Sequence, residues 1–205
     1  KLRLLGRHQL GNAATAVGAV EQLSGINIAK EAIYSGIEKA KWPGRMEIVS
    51  QNPTVLLDGA HNVAGIKALK QTLVQYFSYK KKILVLGILK DKDYKDILKD
   101  IVPLADIIIS TAPYNSRALS STELSNEISC IFNDSVSQLN SDDTYITKSL
   151  CNDMIKVYSR ENIEDAIKLA NSLARPEDMV VFAGSLYLVG YVRAFLNKAF
   201  SRKPN

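Results

Sequence analysis

The chain has 205 residues, 46% of them apolar and 23% charged, with a net charge of +5. These are the proportions of a soluble globular protein; no apolar run nears the ~20 residues of a membrane span, and no signal-peptide pattern is present. The two cysteines, Cys130 and Cys151, form no CxxC pair or disulfide framework, so reduced thiols in a cytoplasmic protein are expected.

The length suits one domain plus an extra piece. A body of about 160 residues would bury roughly 70% of its unfolded surface, enough for a real core. The modest positive excess fits a small polyanion such as a nucleotide and does not call for nucleic acid. The one dense basic run, Lys80-Lys81-Lys82, precedes an apolar strand and reads as a solvated loop. The start at Lys1, without Met and inside a helix-bearing motif, reads as a fragment of a longer protein or as a chain that has lost its Met.

In chain order, "GRHQLGNAATAVGAVEQL" is helical, with Leu10, Ala13, Val17 and Val20 on one apolar stripe. A second helix is expected over Ile28 to Lys41. "WPGR" then breaks the pattern at Pro43 and Gly44, and a domain boundary is placed at residues 42–45. Beyond it, strands are expected at Met46–Ser50, Thr54–Asp58, Ile83–Gly87, Asp106–Thr111, Lys156–Tyr158 and Met179–Ala183. Helices are expected at Ala64–Phe77, Tyr94–Ile101, Ser121–Ile131, Ile163–Ala174 and Leu188–Phe200.

Runs such as "ILVLG", "IIIST" and "VVFAG" are apolar on both faces, as in a parallel sheet covered by helices. The alternation predicts a doubly wound α/β, Rossmann-like sheet with helices on both faces. Ligands of such sheets sit beyond the C-terminal strand ends, where Asp58, Lys90, Ser110 and Ser185 fall. The polar stretch from Asn133 to Asp153 reads as a loop or insertion, with "TYITK" a short strand.

In "VLLDGAHNVAG" a buried strand ends on Asp58 and is followed at once by His61 and Asn62. A strand-end carboxylate can accept from vicinal ribose hydroxyls, hold a cation, or cap the next helix. The free N–H groups of a helix starting near Ala64 favour an anion at the same spot. In "GRHQLGN", His8, Gln9 and Asn12 share a helix face. An amide there can pair with the edge of adenine, while a polar helix start with a satisfied His is the plainer alternative.

Arg45 after Gly44 can reach a phosphate with its forked guanidinium, or be a surface Arg. Ser185 lies between a strand and a helix, without the G-x-S-x-G of a nucleophile turn, and can equally cap the helix. Neither histidine has neighbours at metal-ligand spacing, so zinc is not expected. No G-x-x-x-x-G-K-[ST] and no G-x-G-x-x-G is present, which disfavours an NAD-binding domain.

Four motifs in order, "GRHQLGNAATA", "WPGRMEIVSQNPTVLLDGAHNVAG", "LGILKDKDYKDILKDIVPLADIIISTAPYNSRAL" and "FAGSLYLVGYVR", resemble the C-terminal part of folylpolyglutamate synthase and bifunctional dihydrofolate synthase, of the Mur ligase superfamily. The likeness covers nearly the whole chain, least of all residues 133–155. It implies an ATP- and Mg2+-dependent ligase that phosphorylates a terminal carboxylate of dihydropteroate or a reduced folate. The amine of L-glutamate then attacks the acyl phosphate.

On that resemblance residues 1–41 are the tail of an ATPase domain, 42–45 a hinge and 46–205 the ligase domain. The P-loop, the main magnesium ligands and much of the folate pocket would lie upstream, and this chain alone would lack ligase activity. Asp58 is then the ribose contact, Asn12 the adenine contact and Arg45 a phosphate or ribose contact. His61 and Ser185 lie toward the phosphoryl group and the incoming glutamate, and no metal ligand falls in this chain.

A monomer in the cytoplasm, with no nucleic-acid or membrane partner, is expected. Val63 departs from the resemblance, where Pro commonly follows His-Asn; the helix start loses rigidity but no chemical group. Two alternatives stand: a Mur-type cell-wall peptide ligase fragment, against which "GSLYLVG" and "KDKD" speak, and a non-catalytic Rossmann-like interaction module.

Overall fold

The computed structural model describes residues 2–138 and 155–201. Two helices come first, α1 (His8–Glu21) and α2 (Lys30–Lys39). An α/β unit follows: β1 (Glu47–Gln51), β2 (Thr54–Leu57), α3 (Val63–Tyr76), β3 (Lys82–Leu86), α4 (Tyr94–Ile101) and β4 (Ile107–Ser110). It closes with α5 (Ser121–Gln138), β5 (Lys156–Ser159), α6 (Ile163–Leu173), β6 (Met179–Ala183) and α7 (Leu186–Ser201).

The six strands form one sheet in the order β1-β2-β6-β3-β4-β5. All pairs are parallel except β1 with β2, an antiparallel hairpin at one edge. The last strand in sequence, β6, lies between β2 and β3, so the C-terminal ends of these three strands stand side by side.

The doubly apolar strands split their side chains by parity, because successive strand residues point to opposite faces. Leu56, Leu84, Leu86, Ile108 and Val181 pack with Ile66 and Leu69 of α3, Ile97 and Ile101 of α4, and Leu124 and Ile128 of α5. Leu57, Ile83, Val85, Ile109, Val180 and Phe182 pack on the other face with Ile163, Ile167 and Ala170 of α6 and with Leu188, Val189 and Val192 of α7. Burial on both faces is the reason that no polar alternation shows in these strands.

Most element boundaries shift from expectation, by one residue in β1, β3, β4, β5, α3 and α6. β2 stops at Leu57, leaving Asp58 just outside the ladder. α7 begins two residues early, at Leu186. α5 continues past Ile131 to Gln138, so the first part of the polar stretch is helical. α2 is shorter at both ends than Ile28–Lys41. The expected strand "TYITK" and Cys151 lie outside the described residues.

The apolar stripe of α1 also differs. Leu10 is 61% exposed, and the buried residue of this helix is Gln9. No side chain of α2 is buried, and Leu23, Ile26 and Tyr34 are exposed. An amphipathic stripe becomes a core only where an opposing surface exists. The sheet offers one to α3–α7 but not to α1 and α2.

Candidate functional site

The loop after β2 folds back on the turn before β1. Gly59 N donates to Gly44 O at 2.7 Å, and Asp58 N donates to Phe182 O at 3.0 Å. Gly184 N donates to Ala60 O at 2.9 Å, which clasps the loop after β6 to the same place. Gly44 has φ +71, open to a residue without Cβ. Its N–H donates to Glu47 Oε2 at 2.7 Å. Arg193 of α7 donates through Nε to both oxygens of Glu47, at 3.0 and 3.1 Å. The turn is thereby held from β1, from the β2 loop and from the last helix.

Asp58 is 6% exposed. Its Oδ2 accepts from Met46 N at 2.9 Å and its Oδ1 from Ala60 N at 2.9 Å. Burial raises its carboxyl pKa, against the two amide bonds and the nearby Arg45 and His8, which lower it. The carboxylate therefore holds one backbone N–H on each oxygen.

Asp58 does not cap the following helix. Asn62 does: its Oδ1 accepts from Gly65 N at 2.8 Å. Part of the helix N-terminus is thus closed by the chain itself. Val63, at the first helical position, is half-buried against the core, so packing stands in for the rigidity of a proline. Asn62→Ala is expected to cost about 1 kcal/mol. Urea unfolding checks this, and an unchanged midpoint would mean that the cap contributes nothing.

His61 Nδ1 lies 2.8 Å from Gly59 O. A carbonyl can only accept, so Nδ1 carries a proton and donates there, which leaves Nε2 for another partner. Ser185 is 1% exposed, and its Oγ accepts from Tyr187 N at 3.1 Å; it caps α7. Of the other strand-end residues, Ser110 spends its hydroxyl on the backbone carbonyls of Ser121 and Tyr158. Lys90 pairs with Glu123.

The cluster at the start of α1 meets this region from the other side. A cavity of about 530 Å³ is lined by His8, Gln9, Asn12, Trp42 and Arg45, with apolar walls from Leu4 and Ile37 among others. The volume is in the range of small-molecule sites. Asn12 Nδ2 donates to Gln9 Oε1 at 3.0 Å, and Gln9 Nε2 lies 3.1 Å from His8 Nε2.

The structure thus brings Asn12 and Arg45 to one cavity, which Asp58 does not line. His61 and Ser185 sit on the clasped β2 and β6 loops and do not line it. Arg45 also lines an adjoining cavity of about 490 Å³ with Arg3, Lys41, Glu47 and Arg193.

Two lining residues carry more than sequence reasoning gave them. Trp42, the sole tryptophan, is 65% exposed on the rim; a lone aromatic beside Pro-Gly was the available signal. Gln9 is buried on a helix that otherwise buries nothing, and nothing in the sequence pattern announces that. Among the described residues no group of three or more His, Cys, Asp or Glu side chains converges to hold a metal.

Known proteins are similar to this chain in sequence and in fold. Dihydrofolate synthase/folylpolyglutamate synthase of Bacillus subtilis is 34% identical over 193 residues, 93% of this chain and 39% of that protein. Crystal structures of Mycobacterium tuberculosis folylpolyglutamate synthase complexed with ADP and AMPPCP superpose with a TM-score of 0.79 at 31% identity, over 100% of this chain and 42% of that one. A bifunctional folylpolyglutamate synthase/dihydrofolate synthase with Mn, AMPPNP and L-glutamate bound gives 0.73 at 26% identity, over 92% of this chain and 39% of that one.

The chain therefore spans about two fifths of the length of these relatives. The family model described as Mur ligase, glutamate ligase domain matches residues 44–186, from the Gly44 turn to the first residue of α7. With the sheet order, the clasped β2 and β6 loops and this match in agreement, the chain belongs to the glutamate ligase domain family of the Mur ligases.

Proposed function

We propose that this chain is the glutamate-ligase part of an enzyme that uses ATP to join L-glutamate to dihydropteroate or a reduced folate. The observation that carries the proposal is the convergence of Asn12 and Arg45 on one cavity, with Arg45 also near enough to the buried Asp58 to lower its pKa. Nucleotide-bound relatives with this fold support it. Residues 1–41 are read as the closing part of an ATPase domain, which accords with the unburied faces of α1 and α2. Residues 42–45 are the joint and 46–205 the ligase domain. Since Gly44 is fastened to Glu47 and Gly59, bending at the joint falls before it, around Ala40–Pro43.

In this reading Asn12 pairs with adenine, and Arg45 sets its guanidinium on the ribose or a phosphate oxygen. Asp58 meets the ribose through lone pairs that its two amide bonds leave over. ATP phosphorylates the acceptor carboxylate, and the amine of L-glutamate displaces phosphate from the acyl phosphate to form the amide. His61, whose Nδ1 is spent on Gly59 O, would hold or take a proton through Nε2 on the glutamate side. Ser185 positions the start of α7 beside it. Mg2+ bound with ATP would neutralise charge on its phosphates, and among the described residues no group of three or more carboxylate, His or Cys side chains would hold it.

The test is an assay of the complete polypeptide for ATP-dependent joining of L-glutamate to dihydropteroate and to reduced folate. Amide formation with at least one acceptor is expected. Asn12→Ala should raise the KM for ATP about 10-fold, the size of a lost base-reading amide pair, and leave the KM for glutamate unchanged. No ligation with either acceptor would overturn the reading.

A further inference from the structure

Arg45 stands between two residues in the left-handed region, Gly44 with φ +71 and Met46 with φ +46. Glycine adopts that conformation at no steric cost, but methionine does not. Such a backbone persists only where its surroundings over-determine it, and it concentrates at ligand clamps and active sites. Met46 is buried, so the chain turns while its side chain stays in the core.

Two carboxylates hold this turn, one on each side of Arg45. Asp58 Oδ2 accepts from Met46 N at 2.9 Å, and Glu47 Oε2 accepts from Gly44 N at 2.7 Å. The roles are set by chemistry, since a backbone N–H donates and an ionised carboxylate only accepts. Asp58 is buried in the loop after β2. Glu47, the first residue of β1, is braced instead by α7: Arg193 Nε donates to both of its oxygens, at 3.0 and 3.1 Å.

The same helix meets the turn a second time. Val189, one helical turn before Arg193 and on the same face, lies so close to Gly44 that an added Cβ would stand 2.9 Å from its Cγ1. The turn thus rests on α7 by packing at Val189 and, through Glu47, by charge at Arg193. With side chains 40% and 23% exposed, the Arg193–Glu47 pair adds little to folding stability. Its consequence is geometric. Arg45 lines the cavity with Asn12; Glu47 does not, and lines the adjoining one with Arg45 and Arg193.

We propose that Glu47, braced by Arg193, is a positioning residue that fixes the turn on which Arg45 stands and so aims its guanidinium at the nucleotide. This rests on the reading above that Arg45 meets the nucleotide. Glu47 acts through Arg45 and touches no nucleotide itself.

The experiment is a double-mutant cycle on the complete polypeptide, with the dissociation constant for ATP measured by calorimetry. Arg45→Ala should weaken ATP about 10-fold or more, the size of a lost charge-assisted hydrogen bond. Glu47→Ala should weaken it about 10-fold while Arg45 is present. In the Arg45→Ala background the same substitution should cost nothing further, because what it positions is gone. Glu47→Gln, which still offers Gly44 N an acceptor, should bind closer to wild type than Glu47→Ala does.

A general structural role, or a direct contact of Glu47 with the nucleotide, makes the two losses multiply. The same factor for Glu47→Ala with and without Arg45 therefore overturns the proposal, as does wild-type affinity in Glu47→Ala. Should circular dichroism show Glu47→Ala unfolded, the cycle is read on Arg193→Met, which removes only the brace, with the same two outcomes. If Arg45→Ala binds ATP as wild type does, the assignment of Arg45 to the nucleotide fails, and the proposal with it.

Discussion

Gly184→Ala is expected to lower the stability of the fold by about 2–4 kcal/mol, at the upper end of single substitutions. Gly184 has φ +101, outside the region that L side chains occupy at low cost. An added Cβ would also stand 2.9 Å from the backbone oxygen of Gly87 and 3.0 Å from Ile88 Cγ1. The first of these is backbone at the end of β3 and has nowhere to go.

Relief requires the β6 loop to lift. That breaks the Gly184 N–H bond to Ala60 O, which clasps it to the β2 loop. The natural control is Gly190 on α7, where a Cβ meets nothing within 4 Å. Gly190→Ala should stabilise by about 0.5–1 kcal/mol through helix propensity. Urea unfolding of both variants checks the pair, and a Gly184→Ala midpoint equal to wild type would show that the clasp tolerates a side chain.

Asp58→Ala is expected to cost about 3 kcal/mol. It strips the acceptor from two buried N–H groups, of Met46 and Ala60, each worth about 1–3 kcal/mol when left unmet. The pH dependence has a definite sign. Burial raises the folded carboxyl pKa above its ordinary 3.8. Just above 3.8 the folded state therefore holds more proton than the unfolded one. Stability falls as pH rises through that window and levels off once the folded group has also ionised.

Asp58→Asn should flatten this part of the profile, as measured by unfolding from about pH 3 to pH 7. A profile as steep as wild type would assign the dependence to another group. In the ligase assay, Asp58→Ala should also raise the KM for ATP while sparing that for glutamate, and His61→Ala the reverse. Equal ATP use by Asp58→Ala and wild type would leave this carboxylate as a tie between the β1 turn and the β2 loop alone.

The bond that Asp58 makes to Met46 shows why its part was only half legible in sequence. A strand that ends on a carboxylate can be read from "VLLDG", because three apolar residues and a break are local facts. Which N–H groups the carboxylate takes is not local. One is two residues on, and the other is across a hairpin, at a residue whose own φ is +46. Helix capping, the local alternative, went to Asn62 instead, which stands immediately before the first helical residue.

The sequence by itself determined the α/β class, the six strands and the helices that cover them. Each rests on hydrophobic period and on Gly or Pro breaks within a few residues, and both strand faces of "ILVLG" and "VVFAG" had to be apolar to be buried twice. It also marked Asn12, Arg45, Asp58, His61 and Ser185, since such groups stand out at helix starts and strand ends. The tertiary structure alone decided that β6 is inserted between β2 and β3, which sets the Asp58, Gly87 and Gly184 loops side by side. It alone decided that Glu47 meets Arg193, 146 residues away, and that Gln9 rather than Leu10 is the residue α1 buries. The physical reason is the same in each case: these depend on which surfaces meet, and contact between distant segments leaves no period in the chain.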